Sequence, residues 1–401
     1  MDSDKNPALL TINSGSSSLK FALFAIHEAK TPDCLYRGKF TSIGNAGHFR
    51  VYDGRAGETG DTPVLARDIS IADHAQALRI LLDWLVEQQP ALQLTVAGHR
   101  IVHGGRLLHA PIRVTDDTLA YLNTLIPLAP NHQPAGLLGI TALQDLQPDL
   151  PQIACFDTAF HHHRPTVEQT FALPARPELE DVRRYGFHGL SYEYIAGVLP
   201  EHLGELADGR VIVAHLGHGA SLCAMQQCRS VATTMTFTPL DGIPMGTRCG
   251  SIDPAVVLYL LHQGMTTEAI SDLLYFQSGL LGLSGETDDM AALLASTSAP
   301  AQQAIEQFVH HTVRAIGSLA AALGGVDALV FTGGIGEQAA PIREAICKRC
   351  KWLGLALDTD ANQLNHTRIS QDDSPVQAWV IRTDEESVIA RHSLYLLNKG
   401  T

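Results

Sequence analysis

An apolar segment that ends in a loop of small hydroxylated residues lies near the start of the chain and constrains its fold strongly. The apolar run at residues 9–12 is followed by Asn-Ser-Gly-Ser-Ser-Ser, a leucine and Lys20. Two strands joined by such a loop can direct backbone N–H groups and hydroxyls at one anion. The pattern predicts a β-hairpin with a phosphate-binding loop, and a serine-rich turn without a ligand is the alternative.

The same arrangement recurs roughly 200 residues later, at residues 210–224, where Gly-His-Gly separates two apolar runs. A third segment, at residues 328–337, places a loop of sequence Gly-Gly-Ile-Gly-Glu after a strand-like run and before a predicted helix at 339–351. For this segment, a nucleotide loop and an ordinary strand-to-helix turn both remain open. The two hairpins suggest a duplicated domain with a cleft between the halves, but no close sequence repeat accompanies them.

Helix-period patterns alternate with strand-like runs along the rest of the chain, which predicts an α/β fold. The further predicted helices span residues 72–88, 116–125, 134–145, 192–199, 254–262, 266–276, 301–323 and 386–397. We predict an N-terminal domain at residues 1–153, joined by the final helix at about 386–401. The second predicted domain spans residues 154–385.

Composition excludes several classes of protein. The 401 residues are 45% hydrophobic and 17% charged, which is typical of a globular enzyme. A formal net charge of −14 argues against a general nucleic-acid binder. The seven irregularly spaced cysteines do not form a disulfide framework pattern. The polar N-terminus is unlike a signal peptide, and no apolar run is long enough for a bilayer, so we expect a cytoplasmic protein without a membrane partner.

Two arginines and one carboxylate are candidates for handling an anion. Arg100 lies in Gly-His-Arg-Ile-Val-His-Gly-Gly and Arg248 in Met-Gly-Thr-Arg-Cys-Gly, so both have glycine-rich surroundings with few charges. Arginines in such surroundings are suited to clamp a planar anion. Asp157 follows the apolar run Ile-Ala-Cys-Phe, where a carboxylate can face a cleft or cap a helix.

Other titratable residues are weaker candidates. His188 lies between a phenylalanine and a glycine and is suited to stabilise a developing anionic oxygen, whereas His132 has a less specific setting. A carboxylate in Thr-Asp-Glu-Glu, at residues 383–386, can hold magnesium or favour the N-terminus of the final helix. A metal or redox role for the three consecutive histidines at 161–163, or for the CxxC at 347–350, is the less favoured interpretation.

Six segments together resemble the acetate/propionate/butyrate kinase family. They are, in chain order, NSGSSSLK, HRIVHGG, FDTAFH, RYGFHGLS, PLDGIPMGTRCG and FTGGIGE. The resemblance implies the fold of the sugar kinase, Hsp70 and actin superfamily, with two ribonuclease-H-like domains and the active site in the cleft between them. It also implies a homodimer and a reversible phosphoryl transfer from ATP to acetate that gives acetyl phosphate and ADP. The implied cofactor is Mg²⁺, which Mn²⁺ can replace.

The resemblance also implies roles for individual residues. The implied catalytic residues are Asp157, Arg100, Arg248, His188 and His132. We expect Asp157 to position acetate or a metal-bound water rather than to remove a proton. The implied substrate-binding residues are Arg100, Val102, Phe187 and Pro239, and the metal-associated residues are Asn13 and Glu385. The implied ATP-binding residues are Ser16, Ser18, Lys20, His215, Leu216, Gly217, His218, Gly219, Asp289, Met290, Ala291, Gly333, Gly334, Ile335, Gly336 and Glu337.

Four positions depart from the family's usual pattern and bear on adenine recognition and acyl preference. His218 stands where Asn is usual, and Ser251 where Asp is usual. Ala291 stands where an Arg that packs on adenine is common, and Asn131 replaces an apolar residue.

Two alternative functions are kept at this point. The first is a kinase of the same family that prefers propionate or butyrate, because one methylene in an apolar pocket contributes only about 1–3 kcal/mol. The second is a nucleotide-dependent chaperone or cytoskeletal ATPase of the same superfamily, which predicts no paired arginines.

Overall fold

The computed structural model of the chain describes residues 6–27, 32–55 and 62–399. The described residues form two compact units. Unit 1 consists of the residues through Ala159 together with those from Asp384 onward, and unit 2 is Phe160–Thr383. These limits differ by a few residues from the predicted boundaries at 153 and 386. One reason is that a strand crossing the first boundary, Gln152–Phe156, pairs along its whole length with a strand of unit 1.

Within the described residues, unit 1 is built on an eight-stranded sheet. Its strands are β1 (Asn6–Ser14), β2 (Leu19–Ala25), β3 (Asp33–Thr41), β4 (Ala46–Asp53), β5 (Leu65–Ser70), β6 (Leu92–Ile101), β7 (Ile112–Arg113) and β8 (Gln152–Phe156). They lie in the order β5-β4-β3-β2-β1-β6-β8-β7. Strands β1, β2 and β3 pair antiparallel, and β6 pairs parallel with β1 and with β8. The predicted hairpin at residues 9–20 is therefore confirmed.

Helices cover both faces of this sheet. They are α1 (His74–Gln88), α2 (Asp116–Thr124), α3 (Gln133–Leu146) and, at the end of the chain, α14 (Glu385–Lys399). Leu10 of β1 belongs to the same buried cluster as Leu81 of α1. On the other face, a β-carbon placed on Gly98 would lie 2.3 Å from Ser393 Oγ of α14, so the close approach of this helix requires glycine there. A strand covered on both faces is buried on both, and residues 8–12 of β1 are all buried, with Thr11 as the one polar residue among them.

Unit 2 is built, within the described residues, on a five-stranded sheet. Its strands are β9 (Arg210–Leu216), β10 (Ala220–Gln226), β11 (Arg229–Thr233), β12 (Ala328–Thr332) and β13 (Gln377–Val380). The order β11-β10-β9-β12-β13 and the strand directions repeat those of β3-β2-β1-β6-β8 in unit 1. The predicted hairpin at residues 210–224 is confirmed, and the two sheets share one ribonuclease-H-like topology.

The helices of unit 2 surround its sheet. They are α4 (Thr166–Gln169), α5 (Gly189–Leu203), α6 (Pro254–His262), α7 (Thr267–Phe276), α8 (Gly279–Ser284), α9 (Met290–Ala295), α10 (Ala299–Leu323), α11 (Gly333–Gln338), α12 (Ala340–Arg349) and α13 (Thr359–Gln363). The predicted helices of both units are present, with ends that differ by at most four residues. Among the described helices, none combines the length and apolar character that a bilayer crossing requires.

The predicted glycine loop at residues 333–337 is wrong, because these residues are helical. α11 begins at Gly333 directly after β12. Gly333 has φ +76°, and a β-carbon there would lie 2.8 Å from the carbonyl oxygen of Leu216. The Glu337 carboxylate accepts a hydrogen bond from the Gly333 amide at 2.9 Å. The glycines therefore allow an immediate turn into a helix packed closely against β9, rather than a loop.

Candidate active site

Arg100 and Asp157 form the electrostatic centre of unit 1. Arg100 lies in β6, and Asp157 follows the neighbouring parallel strand β8. Arg100 Nε donates to Asp157 Oδ1 at 2.9 Å, and Nη2 donates to Oδ2 at 2.6 Å. The Asp157 carboxylate is thus held by a bidentate arginine, the strong form of this interaction, rather than used as a helix cap. Of the two interpretations of Asp157, the structure supports a carboxylate at the carboxyl end of a sheet.

Asn13 and Glu385 lie beside this pair. Arg100 Nη1 donates to Asn13 Oδ1 at 3.3 Å, and Arg100 Nε is 3.8 Å from Glu385 Oε2. Burial raises the pKa of Glu385 to about 7, despite the opposing charge of Arg100. Burial also opposes the charge of Arg100, but the carboxylates of Asp157 and Glu385 outweigh it and hold the arginine pKa above its usual value. The structure therefore brings four predicted residues of unit 1 together.

The donors Asn13 and Glu385 fit a hard divalent cation. Both offer oxygen, and the buried Glu385 carboxyl with its raised pKa would regain its charge beside a cation. In the described part of the chain, no group of three or more His, Cys, Asp or Glu side chains forms a metal centre. Magnesium commonly uses only one or two protein carboxylates, with phosphate and water completing its shell. The metal-associated roles of Asn13 and Glu385 therefore stay predictions.

Sequence reasoning did not single out Arg37, which orders the residues on either side of Glu385. Arg37 Nη1 donates to Asp384 Oδ1 at 3.1 Å and to Glu386 Oε2 at 3.4 Å. Asp384 in turn accepts from the Ser387 amide at 3.0 Å, near the beginning of α14. Because Arg37 is more than 340 residues away in sequence, no local signal could have revealed this contact.

The first hairpin loop is shaped by its own backbone and leaves side chains accessible. The Gly15 amide donates to Ser18 O at 2.8 Å, and His74 Nε2 donates to Gly15 O at 2.7 Å. Ser16 and Lys20 are exposed, and Lys20 is one of the charges that act on the buried Glu385. The loop that the sequence predicts to bind phosphate thus presents hydroxyls and a cation near the charged cluster.

His132 precedes α3 at its N-terminus, and its catalytic role stays a prediction.

In unit 2, His188 is held by a buried chain of hydroxyl groups. His188 Nδ1 is 2.8 Å from Ser221 Oγ, which is 2.6 Å from the hydroxyl of Tyr192. The His188 ring stacks on His215 with the ring centroids 4.4 Å apart. His215 Nδ1 is itself 2.8 Å from Ser191 Oγ. Sequence reasoning missed Ser191, Tyr192 and Ser221, although the first two lie within four residues of His188 in the segment His-Gly-Leu-Ser-Tyr.

Arg248 and His188 meet at the second hairpin loop. A β-carbon placed on Gly219 would lie 3.3 Å from His188 Nε2 and 3.4 Å from Arg248 Nη2, so all three residues border one small space. Arg248 Nη1 donates to Pro239 O at 2.8 Å, which directs the guanidinium. Phe187, beside His188, is buried. Because Val102 belongs to unit 1 and Phe187 and Pro239 to unit 2, the acyl pocket that they would form stays a prediction.

The two predicted nucleotide segments of unit 2 lie next to each other. A β-carbon on Gly217 would be 3.8 Å from the amide nitrogen of Gly334. Glu337, however, folds back on its own helix, and Arg382 Nε lies 3.5 Å from its carboxylate. Burial raises the pKa of Glu337. Its position indicates a structural role at the N-terminus of α11, so its proposed contact with ATP stays a prediction without support.

Two of the four unusual positions, His218 and Ala291, are exposed. His218 Nε2 is 2.9 Å from the Asp288 carboxylate, in an exposed pair. Asp289 caps α9 by accepting from the Ala292 amide at 2.8 Å. Ala291 is exposed on that helix, and the preceding Met290 is buried.

The other two unusual positions, Ser251 and Asn131, differ in whether their side chains have a hydrogen-bond partner. Ser251 Oγ donates to Asp241 Oδ1 at 2.6 Å. Asn131 Nδ2 is buried without a hydrogen-bond partner among the described residues.

The less favoured metal sites have structural explanations. His161 is fully buried between Ser230 Oγ, 2.8 Å from Nδ1, and Phe187 O, 2.9 Å from Nε2. Cys347 and Cys350 are buried thiols, and burial raises the pKa of both. The two thiols therefore lack the exposure and the lowered pKa of a reactive cysteine, and both ring nitrogens of His161 are used in internal hydrogen bonds.

Two sheets of one ribonuclease-H-like topology, each with a small-residue hairpin, define the fold of the sugar kinase, Hsp70 and actin superfamily. The chain matches the model of the Acetokinase family over residues 8–391. Acetate kinase from Rhodopseudomonas palustris (strain ATCC BAA-98 / CGA009) is 53% identical over 397 residues, which cover 98% of this chain and 99% of that protein. The chain belongs to the acetokinase family, and the alternative of a chaperone or cytoskeletal ATPase is wrong.

Solved structures agree with this assignment. A propionate kinase from Francisella tularensis subsp. tularensis SCHU S4 matches with a TM-score of 0.88 and 35% identity, over 97% of this chain and 99% of that one. Acetate kinase from Porphyromonas gingivalis matches with a TM-score of 0.84 and 32% identity, over 98% of this chain and 100% of that one. Both have the sequence similarity and coverage expected of relatives with the same fold.

Proposed function

We propose that the chain catalyses the reversible, magnesium-dependent transfer of the γ-phosphoryl group of ATP to acetate, giving acetyl phosphate and ADP. One observation carries the proposal: in a member of the acetokinase family, a bidentate Arg100–Asp157 pair lies beside Asn13 and Glu385 at the carboxyl end of a sheet. The name acetate kinase belongs to a relative 53% identical, whereas the matching propionate kinase is 35% identical. Acetate is therefore favoured over propionate.

The reaction needs alignment and countercharge more than acid–base chemistry. A carboxylate oxygen of acetate attacks the γ-phosphorus, and a new P–O bond forms there. The bond from that phosphorus to the β–γ bridging oxygen breaks, and its electron pair leaves with ADP. No proton moves in this step. The enzyme's task is to hold donor and acceptor in line and to balance charge on the equatorial oxygens.

Each residue of the two sites has a role in that task. Arg100 and Arg248 supply positive charge, and His188 supplies a hydrogen-bond donor to a phosphoryl oxygen. Asp157 fixes the plane of the Arg100 guanidinium through its two hydrogen bonds. Asn13 and Glu385 would hold magnesium directly or through water, and the bound ion would neutralise charge on the phosphate oxygens. The phosphate loop at residues 14–18 would contribute amides and hydroxyls.

A homodimer is part of this proposal, and α6 supports it. The helix has the sequence Pro-Ala-Val-Val-Leu-Tyr-Leu-Leu-His, yet none of its residues is buried in the single chain. Leu258 is 58% exposed and Tyr259 is 62% exposed. Phe276, at the end of α7, is also exposed. An apolar face of this kind usually marks a protein interface.

The dimer is tested by light scattering with variants of that face. Leu258→Asp and Tyr259→Asp should each convert a dimer to a monomer. Val167→Asp, at an apolar residue of α4 that is 78% exposed, is the matched control and should stay dimeric. A wild-type protein that is monomeric at micromolar concentration contradicts the proposal. We also propose that the enzyme works in the cytoplasm, where ATP is available and where its seven cysteines, none of which forms a disulfide, stay reduced.

The activity is tested by trapping the acyl phosphate with hydroxylamine, with acetate, propionate and butyrate assayed side by side. Acetate should give the highest kcat/KM, and propionate should be lower by about tenfold or more, since one methylene contributes about 1–3 kcal/mol. Chelation of divalent cations should abolish product. The absence of hydroxamate with all three acids refutes the function, and a preference for propionate or butyrate refutes the assigned substrate.

A further inference from the structure

We propose that Ser221 and Tyr192 are positioning residues that present His188 to the transferring phosphoryl group as a hydrogen-bond donor. In this arrangement the His188 proton is on Nε2, and Nδ1 accepts a hydrogen bond from Ser221. The inference rests on the proposed function for its catalytic meaning. The geometry that carries it lies wholly within unit 2 and involves residues from β10 and α5.

Tyr192 sets the direction of the hydrogen-bond chain. Its side chain is fully buried, and burial raises the pKa of the phenol well above its usual value, so the hydroxyl keeps its proton. A buried hydroxyl proton requires an acceptor. Among the described residues, that acceptor is Ser221 Oγ at 2.6 Å, while the backbone of His215 hydrogen-bonds to the phenol oxygen and favours its anionic form. Tyr192 therefore donates to Ser221.

The hydrogen bond between Ser221 and His188 has the same direction, with Ser221 as the donor. Ser221 is fully buried, and its oxygen already accepts from Tyr192. Its own proton then has one acceptor among the described residues, His188 Nδ1 at 2.8 Å. If Nδ1 carried a proton, two donors would face each other and the buried serine proton would lose its hydrogen bond, which is costly. The chain therefore runs from Tyr192 to Ser221 to His188 Nδ1.

The remaining nitrogen of His188 lies where an anion would meet it. Nε2 is 3.3 Å from the point where Gly219 would carry a β-carbon, and Arg248 Nη2 is 3.4 Å from the same point. An oxygen that enters the space that glycine leaves open can accept from both groups. Stacking on His215, with centroids 4.4 Å apart, fixes the ring plane.

The backbone at His188 supports a constraint on this side chain. His188 has φ +56°, in the left-handed region that costs energy for a residue with a β-carbon. Such conformations persist where the surroundings over-determine them, often at functional positions. With Nδ1 occupied by Ser221, the neutral imidazole has no lone pair on the substrate side. His188 is then a donor and not a general base, in agreement with a transfer that moves no proton.

Nitrogen NMR of the imidazole-labelled protein tests the proton position directly. The His188 signals are identified by their loss in His188→Gln. In the wild type at neutral to alkaline pH, we expect an unprotonated Nδ1 and a protonated Nε2. A protonated Nδ1 with an unprotonated Nε2 overturns the proposal. This measurement needs no turnover, so it remains decisive if the assigned substrate is wrong.

Kinetics of hydroxyl variants test whether the chain matters for the reaction. Ser221→Ala should lower kcat on the order of tenfold to a hundredfold, as loss of an orienting partner does at other sites, with smaller changes in KM. In the Ser221→Ala protein, His188 Nδ1 should gain a proton at a higher pH than in the wild type. Ser221→Thr keeps the hydroxyl and should restore most of kcat, and Tyr192→Phe should have an intermediate effect.

The matched control is Ser393→Ala, which removes an equally buried serine hydroxyl from α14, where it donates to Ile389 O at 2.7 Å. Its kcat and its His188 signals should equal those of the wild type. A folded Ser221→Ala protein with wild-type kcat and an unchanged His188 titration overturns the positioning role. A wild-type enzyme that forms no acetyl phosphate, with the expected NMR pattern, instead refutes the proposed function and leaves the proton assignment standing.

Discussion

The two units share one sheet topology but use different chemistry at the same place in it. At the base of the first hairpin, the cross-strand pair is Asn13 and Lys20, and in the second hairpin it is His215 and Ser221. Around the first pair lies a cluster of buried charges centred on Arg100. Around the second lies a chain of hydroxyl and imidazole groups, with Arg248 at its edge. The topology therefore fixes where a site forms, and the side chains decide what it does.

This difference has a physical consequence for stability. A charged cluster depends on all its members, because removal of one leaves another charge buried without a partner. A neutral hydrogen-bond chain loses less when one member is removed. Equivalent substitutions in the two units should therefore have similar effects on turnover but different effects on the free energy of unfolding.

The largest expected effects come from the two arginines. Arg100→Ala and Arg248→Ala should each lower kcat by about 10²–10³-fold, because each removes countercharge from the transition state. Only Arg100→Ala should also lower the free energy of unfolding, by about 3–5 kcal/mol, because it strands the buried Asp157 carboxylate. Steady-state kinetics and urea unfolding measure the two effects. Equal stability losses for the two variants would contradict the distinction drawn between the units.

Acidification should destabilise both units through buried neutral histidines. Burial lowers the pKa of His99 and His103 in unit 1 to about 4, and of His161 in unit 2 to about 3. Below the usual histidine pKa of about 6.5 the unfolded chain binds more protons than the folded one, so stability falls as the pH drops towards these lowered values. Between pH 7 and pH 5, each of these three histidines should lower the free energy of unfolding by an amount on the order of 1–2 kcal/mol.

Urea unfolding of the wild type, of His161→Gln and of His366→Gln at both pH values checks this expectation. The loss of stability between the two pH values should shrink in His161→Gln and should stay as in the wild type in His366→Gln, which changes an exposed histidine. A pH dependence that is the same in all three proteins would mean that His161 does not stay neutral in the folded state.

Val102 tests whether unit 1 limits the size of the acyl group. Val102→Ala should shift relative kcat/KM from acetate towards propionate or butyrate, on the order of tenfold, since only one or two methyl groups of apolar contact change. The hydroxylamine assay with the three acids measures the ratio. Activity that falls equally on every acid would assign Val102 a structural role.

The smallest expected effect concerns the nucleotide base. With the exposed Ala291 in place of an arginine that packs on adenine, GTP or ITP should replace ATP with a loss in kcat/KM of only a few-fold. Phosphate contacts then dominate binding. Ala291→Arg should increase the preference for ATP, and Ala292→Arg, at the next position of α9, is the positional control. Failure of GTP and ITP at saturating magnesium would show that other residues hold the adenine.

Local pattern sufficed for much of the fold. The hairpins at residues 9–20 and 210–224 were readable because strand-forming runs and small loop residues are adjacent in sequence. The predicted helix ends lie within four residues of the observed ends, because helical periodicity and capping residues are also local signals. The glycine segment at 333–337 was misread, since glycines that permit a tight turn and glycines that permit close packing of a helix look alike in sequence.

The sequence by itself determined which elements form and which unusual side chains stand at their ends, among them Arg100, Asp157 and His188. Only the tertiary structure decided their partners. Arg100 meets Glu385 from the far end of the chain, and Ser221 reaches His188 from a strand that begins some 30 residues later. The physical reason is that strand order and helix packing, rather than spacing along the chain, set these distances. A hydrogen bond extends about 3 Å, so partners become known only when the sheet is assembled.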